Sequence, residues 1–444
     1  MEYVISSKKL RERILASVAP EMPRNLCPVI KLTISKVPAY MRPAAANAMF
    51  PAMAAHLNNI KFPYLSNVEC EPICMEVTCG SSSIGKSFVD PMIEAIIRKL
   101  REHDVTSRHK LEEYARDYKR KGANKEKPER PKDVAILVPE PDMTNPALVQ
   151  LLMDAQEEGN LPIYTQITEI DMLDQAAGGH RKVTKVIRLN SEAKRYGQQR
   201  ATVDGITGNP FLRWQFNASC TEIKAKAFFR DCLLDGTLGR IGFSYIANQG
   251  NQRGIPKQGN YDQAYLDELD VFLQRLHTTH GIVRVPMLDS VIRRLEKELE
   301  EIIELSGDKN FASLAWRSLG IAWLKGCIIY VAEGQRWSKE IANFVEWSLA
   351  YDLWSKLQLF SDLIREKGFA KTSDVRKTGP VNMLNLLPDS GFTKAQYEAL
   401  RQQRGMTADG GNQLYVWKTR GYVELDPEHP DIYRKTEAYR KRHG

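Results

Sequence analysis

Apolar and polar positions along this 444-residue chain change their rhythm twice. From about residue 66 to 260, apolar runs of strand length alternate with segments of helical period, which predicts an α/β core built on a parallel sheet. Ile73–Thr78, Val134–Val138, Pro162–Ile170 and Phe211–Phe216 read as strands. Phe88–Leu100 reads as a helix, through Val89, Met92, Ile93, Ile96, Ile97 and Leu100. Asn145-Pro146 opens another, which carries Leu148, Leu151, Leu152 and Ala155 and ends at Gly159. Residues 101–133 are charged and contain Pro128 and Pro131, as expected of a mobile insertion or an extended helix with a linker. Residues 182–213 are polar, and their turn signals Asp204-Gly205 and Thr207-Gly208-Asn209-Pro210 predict a hairpin excursion.

Beyond residue 260 the period is helical throughout. Leu288, Val291, Ile292, Leu295, Leu299, Ile302 and Ile303 form one stripe, with Asp289 and Ser290 as candidate N-caps; two more helices are expected over 311–332 and 337–366. The first 65 residues are helical and irregular, punctuated by Pro20, Pro23, Pro28, Pro38 and Pro43. Within them the Ala/Met-rich stretch Arg42–Leu57 predicts a helix lying on the core. After a polar hinge near Gly368, residues 373–436 read as three helices followed by a hairpin, the order of a winged helix. The expected units are therefore 1–65, 66–260, 261–366 and 367–444, without internal repeats.

Composition narrows this only slightly. Hydrophobic residues make up 43% and charged residues 27%, as in a soluble globular protein. No run of 18 uncharged apolar residues suggests a membrane span. Lys8, Lys9, Arg11 and Arg13 interrupt any signal peptide, so a cytoplasmic location is expected. Seven cysteines fit reduced thiols better than a disulfide framework; Cys70, Cys74 and Cys79 lack zinc-ribbon spacing. The formal charge of +8 is compatible with a polyanionic partner, and residues 98–133 concentrate thirteen Lys/Arg against eight Asp/Glu.

The chemistry enters at Gly80-Ser81-Ser82-Ser83-Ile84-Gly85-Lys86-Ser87, a complete G-x-x-x-x-G-K-[ST] loop between a strand and a helix. Gly80 and Gly85 allow backbone angles that turn successive N–H groups onto phosphates. Lys86 supplies a cation to the β and γ phosphates, and the Ser87 hydroxyl suits Mg²⁺. Chance would produce such a match in a chain of this length about once in a hundred. ATP and Mg²⁺ are the expected cofactors.

Such a loop calls for an acidic residue at the end of a neighbouring strand. Ile163–Ile167 leads into Thr168-Glu169-Ile170-Asp171, where the usual Asp-Glu pair has Thr168 in its first position. Glu169 is the expected water-activating carboxylate and Asp171 the candidate metal-shell residue. Asn217, with Ser219 as second choice, is the candidate γ-phosphate sensor. In Asp235–Phe243, Arg240 (alternatively Arg230) is the candidate arginine presented to a neighbouring subunit's nucleotide, because a planar, permanent cation suits transition-state charge. Arg317 lies where a second sensor would.

Taken with Phe50–Leu57 and Thr144–Leu148, the loop, Glu169-Ile170-Asp171 and Asp235–Phe243 resemble a family of P-loop ATPases of unknown function encoded on mobile elements. That family often stands beside or is fused to primase-like domains, and the resemblance covers roughly residues 40–335. It implies kinship with superfamily 3 and AAA+ helicase-type ATPases, whose sheet is RecA/AAA+-like, and a homo-oligomeric ring, such as a hexamer, on DNA. The helices of 261–366 would then be its lid, and a primase or another mobile-element replication protein its partner. In the terminal module, Lys418, Arg420, Arg434 and Lys435 would meet phosphates, and Gln413 or Tyr415 base edges. The expected function is a DNA-dependent ATPase, a helicase or replication-initiation motor. The alternative is an ATP-regulated loader that assembles partners without unwinding; a nucleotide kinase is a third reading.

Overall fold

A computed structural model describes residues 7–120, 128–173, 180–198, 205–233, 235–247, 256–368 and 381–443. Its strands, numbered along the chain, are β1 (Ile60–Pro63), β2 (Glu69–Cys70), β3 (Met75–Gly80), β4 (Ile163–Ile167), β5 (Trp214–Cys220), β6 (Gly242–Ile246), β7 (Gly281–Ile282), β8 (Phe392–Thr393), β9 (Val423–Leu425) and β10 (Ile432–Lys435). The centre is a four-stranded, all-parallel sheet in the order β4-β5-β3-β6. All six residues of β3 are buried. That burial extends to the polar Glu76 and Thr78 between Met75, Val77 and Cys79, as expected of a central strand of a parallel sheet, whose two faces are both covered.

The Ala/Met-rich helix Arg42–Ala54 lies on this sheet as expected, with every residue from Ala44 to Ala54 buried. Small side chains let it approach closely enough for the Asn217 amide on β5 to donate to the Ala48 carbonyl at 2.8 Å. Lys339–Gly368 runs along β6. Its Asp352 accepts from the Phe243 N–H at 2.7 Å and its Ser355 hydroxyl from the Tyr245 N–H at 3.0 Å. Two side chains three apart on a helix thus satisfy alternate donors of an edge strand, which would otherwise invite pairing.

Two expectations change, and for residues 101–120 the extended helix is the alternative found. Val134–Val138 is buried but is not a strand. The buried Asp104 carboxylate takes the Leu137 and Val138 N–H groups at 2.7 and 2.8 Å, and Ser107 takes that of Ala135 at 3.3 Å. One ladder-like bond remains, from the Tyr164 N–H to the Leu137 carbonyl at 2.7 Å. Residues 101–120 continue the helix that starts at Asp90, giving Asp90–Arg120. His180–Asn190 is a helix, and the excursion behind it is bridged at Arg195–Phe211 and Gln198–Gly208.

The units expected over 1–65, 66–260 and 261–366 share one continuous core, from Leu10 to Ile364. Buried polar contacts stitch it together: Lys325 on Lys309–Ala332 reaches Glu76 on β3 at 2.7 Å, and Lys356 on Lys339–Gly368 donates to the Ser318 hydroxyl of Lys309–Ala332 at 3.0 Å. Lys309–Ala332 is long and apolar enough to cross a membrane by length and composition alone, but most of its length is packed into this core. Residues 381–443 have a smaller core of their own around Trp417, Tyr397 and Phe392, covered by the antiparallel sheet β8-β10-β9. Leu305 of the helix Pro286–Ser306 inserts into it.

Candidate active site

The phosphate-binding motif sits where the sheet demands it. Gly80 ends β3, residues 81–85 form the loop, and Lys86–Val89 make one 3₁₀ turn that feeds the helix Asp90–Arg120. Ser83 and Gly85 take φ of 63° and 84°, in the left-handed region. A Cβ at Gly85 would also stand 2.7 Å from the Phe88 ring and from the Tyr40 hydroxyl, so both backbone and space require glycine. Tyr40 donates to the Ile84 carbonyl at 2.9 Å, and Gln258 donates to the Phe88 carbonyl at 3.0 Å. Segments distant in sequence therefore hold the loop from both sides. Lys86 Nζ donates to the Gly80 and Ser81 carbonyls at 3.2 and 3.0 Å, which keeps its charge over the loop.

Lys86, Asp90, Gln166, Thr168, Asn217 and Ser219 line one cleft at the C-terminal ends of β3, β4 and β5. Open α/β sheets bind ligands at this edge. Asn217 is fixed at both ends of its amide, donating to Ala48 and accepting from the Tyr164 hydroxyl at 2.9 Å. It lies in the middle of β5, beside Glu76 and Gln166 in register, whereas Ser219 is nearer the strand end and donates to the Thr168 carbonyl at 2.7 Å. Glu169 is exposed two residues past β4, and the buried Ile170 behind it is bonded to the Ser219 carbonyl. Asp171 is exposed and ion-paired with Lys224. Asp90, the first residue of the helix, accepts from Gln166 Nε2 at 2.7 Å; burial pushes its pKa up to about 6. The residues fit Mg²⁺ and phosphate: the tight glycine loop precedes the exposed Ser87 hydroxyl, and the cleft offers the hard oxygens that Mg²⁺ prefers.

Arg240 is elsewhere. Register sets Glu76 beside Gly242 and Gly80 beside Ile246, so Arg240 lies at the N-terminal edge of the sheet, opposite its own chain's loop. Its side chain is only 13% exposed and is held by the Ser191 hydroxyl at 3.0 Å, the Gly236 carbonyl at 2.9 Å and Glu192 at 3.2 Å. Arg317 packs against Gly239 in the same corner, where burial and the charge of Arg240 push its pKa down. The fold thus brings Arg317 to Arg240 rather than to the loop. Arg230 caps the helix Glu222–Phe229 and is exposed.

The terminal module departs most from expectation. Trp417 Nε1 donates to the Glu304 carbonyl at 2.8 Å, Gln413 donates to the same oxygen, and Arg420 pairs with the Glu304 carboxylate at 2.7 Å. Arg434 pairs with Asp426. Lys435 is buried, bonded to the Leu387 carbonyl at 2.8 Å and to Asp389 at 2.5 Å. Of the expected nucleic-acid contacts, Tyr415 and Lys418 lie on the exposed face of the helix Gly411–Thr419, and the ion-paired Arg420 and Arg434 keep about half of their side chains exposed.

Sequence reasoning missed Tyr40 and Asp90. Tyr40 carries no sequence signal. Asp90 stands three residues after Ser87, but an acid in the first turn of a helix is ordinary dipole complementation, and only the fold brings Gln166 to it.

No protein-family model matches the chain, and no curated protein matches it significantly. Among solved structures, the chain is similar to the active helicase Cch of SCCmec type IV, at 13% identity and TM-score 0.29, over 93% of this chain and 68% of that one. It is also similar to the ORC2 protein of Aeropyrum pernix in its ADPNP-ADP complexes, at 11% identity and TM-score 0.21, over 96% and 93%. The ADP form of that protein gives 13% and 0.22.

Proposed function

We propose that the chain is an ATP-hydrolysing, DNA-dependent motor of a mobile genetic element, a helicase or replication-initiation ATPase working as an oligomeric ring. The loop carries this reading. A glycine that nothing larger can replace, a lysine held over the turn and an exposed serine follow a buried central strand and precede a helix. That arrangement suits a nucleoside triphosphate with Mg²⁺. Lys86 would neutralise the β and γ phosphates and Ser87 would hold the ion. Glu169 would orient and deprotonate the attacking water, and Asn217 or Ser219 would sense the γ-phosphate. Arg240, at the edge away from its own loop, would serve a neighbour's nucleotide, which makes the ring a functional requirement.

The deciding experiment measures phosphate release from ATP alone, with single-stranded and with duplex DNA, alongside strand displacement from a fork. DNA-stimulated hydrolysis with displacement is the expected result. Stimulation without displacement would establish the loader instead, acting on a primase or another replication protein. One observation favours that second reading: Gln413 and Arg420 of the winged-helix-like module, two residues expected to meet DNA, are engaged with Glu304 of the same chain. Phosphorylation of a small acceptor would replace both with a kinase.

A further inference from the structure

The strand that leads to Glu169 delivers Thr168 where a Mg²⁺-binding nucleotide site would place its first carboxylate. Asp171, the metal-shell candidate of the sequence, faces the Lys224 ammonium. Among the described residues lining the cleft beside Lys86, Asp90 is the one carboxylate. It lies one helical turn after Ser87, and side chains of a helix lean toward its N-terminus, which here is the end carrying the loop. Gln166, on the same strand as Thr168, donates to Asp90 Oδ1 at 2.7 Å and so fixes the carboxylate with a neutral amide. No hydrogen-bond or ion-pair partner for Oδ2 is found among the described residues.

We propose that Asp90 supplies the carboxylate of the Mg²⁺ shell in the nucleotide site, in place of the residue that Thr168 replaces, with Gln166 as its positioning residue. Mg²⁺ in phosphate sites is commonly held by one or two carboxylates together with phosphate oxygens and water, so one carboxylate here is sufficient. The proposal rests on the ATP reading.

The test is equilibrium binding of a fluorescent ATP analogue to the full chain, titrated with Mg²⁺ and repeated in EDTA. Asp90→Asn keeps the side-chain shape and removes a partly buried charge. It should bind nucleotide in EDTA like wild type while needing about tenfold or more Mg²⁺ for the same tightening. Electron paramagnetic resonance of Mn²⁺ should show the same weakening in the presence of ATP. Thr168→Asp added to Asp90→Asn should restore the metal response, because it installs the carboxylate at the strand end. Unchanged Mg²⁺ dependence in Asp90→Asn would overturn the proposal, as would loss of the metal response in Asp171→Asn instead. If Asp90→Asn does not fold, Gln166→Leu is the substitute, and a metal response equal to wild type there would likewise refute the pairing. A wild-type chain that binds no nucleotide under any condition would defeat the underlying ATP reading, a result distinct from all of these.

Discussion

The two edges of the central sheet treat charge in opposite ways. At the C-terminal edge, Glu169 is exposed, Ser87 is exposed and Lys86 leans only on loop carbonyls. At the N-terminal edge Arg240, Arg188 and Lys325 each have an internal partner. Arg240 has three, Arg188 pairs with Asp235, and Lys325 reaches Glu76 with side chains 1% and 3% exposed. A site meant for a polyanionic ligand holds its cation ready, whereas charges that serve only the fold are satisfied when the chain closes. Substitutions at the first edge should therefore change activity at nearly constant stability, and those at the second should change stability. Arg240 stands at the second edge with a role proposed at a neighbour's first edge, which makes it the sharpest test of the division.

The largest effect is expected at Lys86. Lys86→Ala should abolish hydrolysis and weaken nucleotide binding, because no other residue of the loop supplies a cation, while the melting temperature stays near that of wild type. Wild-type turnover in this variant would remove the P-loop assignment.

Arg240→Ala comes next. Loss of an arginine finger lowers turnover by about 10³-fold or more, with ATP binding retained. Mixing with Lys86→Ala protein should restore part of the activity, since an intact loop can then meet an intact arginine at some interfaces. A melting temperature that falls sharply, with full turnover per folded molecule, would instead assign Arg240 wholly to its contacts with Ser191, Gly236 and Glu192.

Lys325→Met tests the second edge alone. It leaves Glu76 buried without its cation, and breaking such a pair costs about 3–5 kcal/mol. Burial already pushes the Glu76 pKa up, so protonation of the orphaned carboxyl would limit the loss. Adding Glu76→Gln should recover much of the stability. Denaturant melts of the three proteins measure this, and nucleotide affinity per folded molecule should not change; a selective loss of turnover would break the comparison.

What could be read from the chain divides along similar lines. The loop, β3, β4 and β5 were legible because each answers a local demand: a glycine at Gly85 for a left-handed turn, and apolar residues recurring at strand spacing, as at Met75, Val77 and Cys79 in β3. Gly80, by contrast, simply ends β3 in an extended strand. Val134–Val138 misled because its N–H groups are captured by Asp104 and Ser107, about thirty residues earlier on a helix face that looks merely polar in sequence. The meeting of Asp90 with Gln166, and of Arg240 with Arg317, depends on how strands and helices are ordered in space. No periodicity encodes that order. Gln413 and Arg420 had the composition of a nucleic-acid face, yet their partner, Glu304, lies more than a hundred residues upstream.

The smallest effect is expected at Glu169, and it bears on the first edge from the other side. Glu169 is exposed, and no hydrogen bond or ion pair is found for its carboxylate among the described residues, so Glu169→Gln should not disturb the fold. If it activates water, hydrolysis should slow by about 10²-fold, the usual scale for losing a positioned base, with ATP binding intact. Asp171→Asn serves as its control. Asp171 is paired with Lys224 in an exposed setting, where such pairs contribute little stability, so this change should leave both melting temperature and turnover close to wild type. Single-turnover hydrolysis of the two variants separates chemistry from binding. If Asp171→Asn is the slower enzyme, the roles of the two carboxylates are reversed, and the Lys224 pair must open when nucleotide binds.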